Sequence, residues 1–471
     1  MAMSQIMERS ALTYLREWKD RSNRKPLVIR GARQVGKTAL VRIFAAREFE
    51  TYVEINFDET PGKAEFFNFE DLGSILRYIE LDAKVKIIPG KTLLFLDEIQ
   101  AKPSILAKLR YFYEKMPELH IICAGSLLDF ALAEPEYSMP VGRIEFLYLG
   151  PMGFEEFLLA RGQEGLKGFL ASFASIPGPS IPLPIHQKLL NLLKEYMKIG
   201  GMPGVVKAYI ESSLDVSRAW QEQNAILQTF FLDFGKYKKR TNIGLLQDLF
   251  VKIPGQLGKT IKYSALNRQV KSREIKECLD LLQKARLIYP VMHSHGNGLP
   301  LGAEADTSSF KLLFLDIGLA LSLSGLKLEE LGQVENFAMV NSGALAEQFI
   351  GQHLLYAQPG YAEPHLYYWN RPAKGSTAEV DFLIQKENRV LPVEVKAGAT
   401  GRLRSLHMFV QEKNVDLALR FNTDLPSILS TSTAIAGKPS KPFTLISLPL
   451  YLVESGIRGI AIKAGNSDKD R

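Results

Sequence analysis

Eight consecutive residues have the types and the spacing of a phosphate-binding loop. Residues 31–38 read Gly-Ala-Arg-Gln-Val-Gly-Lys-Thr and fit the pattern G-x-x-x-x-G-K-[ST]. In such a loop the glycines let backbone N–H groups wrap phosphates, the lysine reaches the β- and γ-phosphates, and the hydroxyl can hold Mg²⁺. The pattern predicts a nucleotide site; the alternative is a glycine turn without a ligand. The residues of the predicted site are Gly31, Ala32, Arg33, Gln34, Val35, Gly36, Lys37 and Thr38.

Two acidic residues follow an apolar run farther along the chain. Residues 92–96 are mostly apolar, and Asp97 and Glu98 come directly after them. At the carboxyl end of a parallel strand, where ligands bind, Asp97 would hold Mg²⁺ and Glu98 would polarise the attacking water. Another apolar run leads to Ser126, which could contact the γ-phosphate or the water. The alternatives are two solvated acids and a turn serine.

A second group of charged residues lies near the C-terminus. Asp381 and Glu394 are 13 positions apart, enough for a hairpin, and alternation places Glu394 and Lys396 on one strand face. Two carboxylates that meet on adjacent strands form a site for a hard cation such as Mg²⁺ or Mn²⁺. Glu347, on a preceding helix, could complete the metal shell, and Lys396 could orient water. The alternative is a chance pattern of exposed strand charges.

Regular elements must position these residues, and the sequence indicates an α/β fold. Short apolar runs alternate with helical stretches over residues 1–150, which is typical of a mainly parallel sheet. Residues 151–230 have a mostly helical pattern, interrupted by a proline-rich stretch at 176–184. A third region spans 231–330 and a fourth spans 331–465.

The third region carries a concentration of positive charge. The chain has 58 Lys and Arg against 51 Asp and Glu, a net charge of +7, yet residues 236–290 alone have a net charge of +9. An amphipathic helix at 272–285, a shorter helix before it and two strands after it predict a winged helix-turn-helix. Nucleic acid is then the expected partner; a solvated helical surface is the equal alternative. The predicted phosphate contacts are Lys236, Lys238, Lys239, Arg240, Lys271 and Arg273.

Length and composition exclude several classes of protein. The chain has 471 residues, of which 46% are hydrophobic and 23% charged, unlike a disordered or collagen-like chain. Two cysteines provide no disulfide framework and suit a reducing compartment. We expect no signal peptide, no membrane span and a cytoplasmic location.

The nucleotide motifs together resemble those of the AAA+ ATPase superfamily. The resemblance implies that residues 31–38 are the Walker A motif, that Asp97 and Glu98 are Walker B, and that Ser126 is at sensor 1. It also implies ATP hydrolysis with Mg²⁺ and a possible ring of identical subunits. Arg143 is the candidate for an arginine supplied to a neighbouring subunit, or else a salt-bridged structural residue. Gly-Gly-Met-Pro at 200–203 resembles a signature of one bacterial and archaeal branch.

The C-terminal group resembles the PD-(D/E)XK nuclease superfamily. In that superfamily a helix glutamate, a strand aspartate and an E-x-K strand cut phosphodiesters with a divalent metal. Glu347, Asp381, Glu394 and Lys396 match these positions one by one. Val380 precedes Asp381 where the family name expects a proline. A nuclease fold used only for binding is an open alternative.

Three classes of function follow. The leading prediction is an ATP-hydrolysing protein that acts on DNA, with a C-terminal domain that cuts or grips the nucleic acid. The second is a regulatory or signalling NTPase whose nuclease-like domain contacts protein. The third, a small-molecule kinase, is weakened by the Asp97-Glu98 pair, which suits water activation.

Overall fold

A computed structural model describes residues 7–131, 140, 142–176, 178–237, 241–325, 342–371, 378–398, 403–413 and 415–460. Three of the predicted phosphate contacts, Lys238, Lys239 and Arg240, lie outside these residues. Among the described residues, no helix is both long enough and apolar enough to cross a bilayer.

The first region forms a five-stranded parallel sheet with the order β2-β3-β4-β1-β5. All residues of the central strands β3 and β4 are buried, because helices cover both faces of the sheet. The predicted parallel sheet is therefore present. Its strands are β1 Leu27–Arg30, β2 Thr51–Asn56, β3 Thr92–Asp97, β4 His120–Gly125 and β5 Glu145–Tyr148. Its helices are α1 Ala11–Asp20, α2 Lys37–Glu48, α3 Leu72–Ala83, α4 Ile105–Lys115 and α5 Leu128–Ala131.

The second region is helical, as its pattern predicts. Its helices are α6 Phe154–Ala160, α7 Glu164–Ala171, α8 Leu183–Ile199, α9 Pro203–Glu211 and α10 Val216–Phe234. The proline-rich stretch lies between α7 and α8, but α8 begins inside it, at Leu183. Pro184 is accommodated there because the N–H groups of a first helical turn have no intrahelical partner.

The described residues of the third region form four α-helices, the last of which follows an antiparallel pair of strands. Its helices are α11 Ile243–Lys252, α12 Tyr263–Leu266, α13 Ser272–Lys284 and α14 Ile317–Leu323. Its strands are β6 Ile288–Ser294 and β7 Ala305–Phe314, and Ile261 forms a further bridge to Phe310. The apolar face predicted for α13 is buried, from Ile275 to Leu282.

The strands of the third region continue into the C-terminal region. One eight-stranded sheet has the order β12-β13-β11-β10-β9-β8-β6-β7, and β6 pairs in parallel with β8 at Val291 and Leu366. The predicted boundary near residue 330 therefore does not separate two sheets. The remaining strands are β8 Leu366–Asn370, β9 Glu379–Lys386, β10 Arg389–Val395, β11 Leu417–Asn422, β12 Ser427–Ser432 and β13 Pro442–Pro449. The helices are α15 Ser342–Tyr356, α16 Arg404–Lys413 and α17 Val453–Gly459.

Candidate nucleotide site and C-terminal carboxylate cluster

The phosphate-binding loop, residues 31–38, connects β1 to α2. Gly36 precedes the first residue of α2 with a φ of 91°, a left-handed conformation that glycine adopts without strain. Lys37 is buried, and its Nζ donates to the carbonyl oxygens of Gly31 and Ala32 at 3.0 and 2.8 Å. The loop thus places an ammonium group and the N-terminus of a helix at one point, which is the chemistry that an anionic phosphate requires.

Burial lowers the pKa of Lys37 to about 8, because desolvation disfavours the ammonium form. Bound phosphate favours the protonated lysine, so above pH 8 binding must include uptake of a proton. We expect the affinity for ATP to fall with rising pH between 8 and 9.5, by at most about tenfold per pH unit. Titration calorimetry in buffers of different ionisation enthalpy measures both the dissociation constant and the proton uptake. A constant affinity from pH 7 to 9.5 would contradict the role of Lys37.

Thr38 and Asp97 lie together beside Lys37. The Thr38 hydroxyl donates to Asp97 Oδ2 at 2.7 Å, and burial raises the pKa of Asp97. A hydroxyl and a carboxylate are hard oxygen donors of the kind that Mg²⁺ prefers. The residues present therefore fit the predicted magnesium ion.

A cavity with a volume of about 750 Å³ lies beside the phosphate-binding loop. Glu98 and Ser126 line it together with Lys37 and Thr38. Glu98 has a φ of 50°, and its carboxylate accepts a hydrogen bond from Gln100 Nε2. Ser126 Oγ is buried and has no hydrogen-bond partner among the described residues. The motifs do not indicate Gln100, whose only signal in the sequence is its position two residues after Glu98.

Arg9 also contacts the phosphate-binding loop, and the motifs do not indicate it. Its guanidinium donates to the Val35 carbonyl at 2.9 Å and to the Gly150 carbonyl at 2.8 Å, and it pairs with Glu156 at 2.8 Å. Arg9 is 7% exposed. It fastens the loop to the end of β5 and to α6.

The Gly-Gly-Met-Pro phrase holds the helical region against the loop. The Pro203 ring lies against Gly36, and Gly201 N donates to Asp316 Oδ2 at 2.7 Å. Gly200 has a φ of 76°, and a Cβ there would lie 2.1 Å from Asp316 Oδ1. Asp316 is fully buried and also accepts from Leu319 N, at the start of α14. The phrase therefore connects the nucleotide cavity to the third region.

Arg143 is not among the residues that line the nucleotide cavity. Its Nε pairs with Glu114 at 2.9 Å within the same chain, and its side chain is 41% exposed. This contact matches the structural alternative for Arg143. A role in a neighbouring subunit stays a prediction.

The exposed face of α13 carries both basic and acidic side chains. Arg273 pairs with Glu277 at 3.0 Å, and Glu274 and Asp280 lie on the same helix. Lys236 pairs with Asp233 at 2.9 Å. Lys271 is exposed at the turn before α13. The positive charge of this region is therefore partly neutralised by its own acids.

The predicted C-terminal residues lie close together. Strands β9 and β10 form the predicted hairpin, and Asp381 Oδ2 accepts from Val395 N at 2.7 Å. Lys396 pairs with Glu394 at 2.5 Å. Burial raises the pKa of Glu347 and of Glu394 to about 8. We call Glu347, Glu379, Asp381 and Glu394 the carboxylate cluster.

Lys311, which belongs to none of the motifs, lies inside this cluster. Lys311 Nζ is 3.0 Å from Glu347 Oε2, 2.6 Å from Glu379 Oε1 and 3.5 Å from Asp381 Oδ1. In the described part of the chain, no group of three or more His, Cys, Asp or Glu side chains is arranged to hold a metal ion. As arranged, Glu347, Asp381 and Glu394 do not fit the predicted divalent ion, because an ammonium group lies between two of them.

The phosphate-binding loop follows β1 and the acidic pair lies at the end of β3, so both are at the carboxyl ends of parallel strands, where open α/β sheets bind ligands. Residues 23–158 match a family model described as "AAA domain". Residues 190–330 and 342–450 match two models described as "Domain of unknown function", DUF8612 and DUF4143. No curated protein matches the chain.

Several solved structures resemble this chain at low sequence identity. The Aeropyrum pernix ORC1 protein in complex with DNA is 11% identical, with 71% of this chain and 96% of that chain covered and a TM-score of 0.28. The Aeropyrum pernix ORC2 protein is 13% identical, with coverages of 67% and 91% and a TM-score of 0.33. The Thermotoga maritima RuvB Holliday junction branch migration motor is 13% identical, with coverages of 61% and 90% and a TM-score of 0.26.

Proposed function

We propose that this protein binds ATP in the cavity beside the phosphate-binding loop and hydrolyses it with Mg²⁺. The observation that carries the proposal is the hydrogen bond from Thr38 to Asp97 directly beside the buried Lys37. It brings a phosphate-binding cation and a pair of magnesium ligands together from α2 and β3. Mg²⁺, when bound, neutralises the charge that develops on the phosphates.

The residues around this point would divide the work of hydrolysis. Backbone N–H groups of residues 31–38 and the Lys37 ammonium bind the phosphates, and Thr38 and Asp97 would hold the metal. Glu98 accepts a proton from the attacking water, and Gln100 orients its carboxylate. Phosphate release from ATP, measured with increasing Mg²⁺ and with EDTA as the control, tests this function. Hydrolysis that persists in EDTA would contradict it.

Action on nucleic acid is the second part of the proposal, and it is supported by the helix pair followed by two strands. The turn between α12 and α13 carries exposed basic side chains at Arg268 and Lys271, and Lys276 follows on α13. Exposed cations at such a turn can contact phosphates of a duplex and release counterions.

Replacing Arg268, Lys271 and Lys276 together with alanine should weaken binding to duplex DNA. Each lost phosphate contact should lower the slope of log affinity against log salt by about 0.9. Fluorescence anisotropy with a labelled duplex at several salt concentrations measures both quantities. Alanine at Lys86, Lys102 and Lys188 removes the same charge elsewhere on the surface and is the matched control. Equal salt slopes for the two triple variants would show that these three side chains belong to a solvated surface and do not contact DNA.

A regulatory NTPase is the alternative function, and two contacts favour it. The third region is fastened to the C-terminal sheet by the β6–β8 pairing and by the Thr260 hydroxyl, which donates to Glu379 at 2.8 Å. A helix pair held in this way suits an inhibitory or coupling module. Metal-dependent cutting by Asp381, Glu394 and Lys396 is not part of the proposal, because the Lys311 ammonium lies between Glu347 and Asp381.

A further inference from the structure

The backbone of Lys311 is held in place by strand pairing, and its side chain is buried. Lys311 lies within the ten-residue strand β7, opposite Val291 of β6, and its neighbours Phe310 and Leu312 are buried. Its side chain is 3% exposed. A buried lysine at this position requires nearby negative charge, since an unpaired ammonium in the interior is strongly unfavourable.

The carboxylate cluster supplies that charge from two separate elements. Glu347 comes from α15, and Glu379 and Asp381 come from β9. The three distances of 2.6 to 3.5 Å surround a single nitrogen atom. Lys396 meanwhile pairs with Glu394, so each ammonium group of the cluster has its own carboxylate partners.

The segment before α12 closes the cluster from another side. Thr260 donates to Glu379, and Gly258 lies so close that a Cβ there would be 3.5 Å from Glu347 Oε1 and 3.2 Å from Ala344 Cα. A divalent ion bound to Glu347 and Asp381 would therefore have to displace the Lys311 ammonium from between them.

We propose that Lys311 is the resident cation of the carboxylate cluster, in the place where the sequence predicts Mg²⁺ or Mn²⁺. The cluster then acts as a buried ionic joint between β7 and the C-terminal hairpin, and not as a metal centre. This inference does not depend on ATP hydrolysis, since the nucleotide cavity is formed by other residues.

Manganese binding to the nucleotide-free full chain tests the proposal. The single variant Asp381→Asn should bind Mn²⁺ as the wild type does, because the wild-type cluster holds no Mn²⁺ ion. Lys311→Met should add one Mn²⁺ site at the cluster, because the positive charge of Lys311 no longer repels the ion. The affinity for Mn²⁺ at the cluster should rise at least about tenfold above any residual binding there in the wild type. Glu394 Oε2, which is buried and has no partner among the described residues, is then available as a ligand. The double variant Lys311→Met/Asp381→Asn should lose the new site.

Two controls keep the proposal open to contradiction. Lys311→Met should lower the thermal midpoint, and the double variant should recover part of the loss, whereas Lys188→Met, at an exposed lysine of α8, should change neither the midpoint nor Mn²⁺ binding. If Lys311→Met does not fold, the wild type and Asp381→Asn still decide the question. Wild-type Mn²⁺ binding that Asp381→Asn abolishes would overturn the proposal, and so would a folded Lys311→Met protein that gains no site.

Discussion

Replacing Glu98 with glutamine is expected to leave ATP binding intact and to lower turnover by about 10² to 10⁴-fold. The amide keeps the shape of the side chain and cannot accept a proton from water, and loss of a general base has effects of this size. Asp97 and Thr38 still provide the oxygen ligands for Mg²⁺. Single-turnover phosphate release and the dissociation constant of a fluorescent ATP analogue separate the two effects.

Lys37→Ala is the companion variant and should fail at the earlier step. Removal of a charged hydrogen-bond donor should weaken nucleotide binding by roughly 10 to 150-fold. Lys63→Ala, at a lysine outside the cavity, is the control for a general loss of positive charge. Equal hydrolysis by the wild type and Glu98→Gln would remove Glu98 from its assigned role, and normal ATP affinity in Lys37→Ala would remove Lys37.

Gly200→Ala is expected to destabilise the fold strongly. Gly200 has a φ of 76° and a ψ of −173°, a combination that is nearly exclusive to glycine, and a Cβ would overlap Asp316. Backbone strain and overlap together should lower the free energy of unfolding by about 2–5 kcal/mol. Urea unfolding followed by tryptophan fluorescence measures the change.

Gly168→Ala is the matched control for that prediction. Gly168 lies in α7, and no atom would lie within 4 Å of an added Cβ, so alanine there should be neutral or slightly stabilising. Gly200→Ala should also weaken ATP binding in the folded fraction. Pro203, three residues after Gly200, lies against Gly36 of the phosphate-binding loop, so a shift of the backbone at Gly200 would disturb the loop. Equal unfolding midpoints for the two alanine variants would show that the contact with Asp316 can relax.

The nucleotide site was accessible from the sequence because its residues are local. The phosphate-binding loop is one continuous stretch, and the acids follow a strand whose apolar run identifies it. Arg9 was not accessible, because it reaches Val35 and Glu156 from a segment without a motif. Asp316 was missed for the same reason, since only the folded chain brings it to Gly201.

The carboxylate cluster shows where alternation stops being informative. Alternation along two strands correctly indicates that Asp381 and Glu394 lie near each other, because β9 and β10 form a hairpin. It does not indicate which side chain lies between Asp381 and the helix residue Glu347. Lys311 comes from a strand 70 residues upstream that reads as half of an independent wing. Which strand pairs with β6 depends on packing of the whole sheet and not on local pattern.

The shared sheet has a consequence for how this protein can change during evolution. The β6–β8 pairing joins two parts of the chain that their sequence patterns present as separate domains. A recombination that exchanged only the C-terminal part would leave the N–H and C=O groups along one edge of β6 without partners, and such an open edge invites aggregation. The helix pair and the C-terminal hairpin should therefore be inherited as one unit.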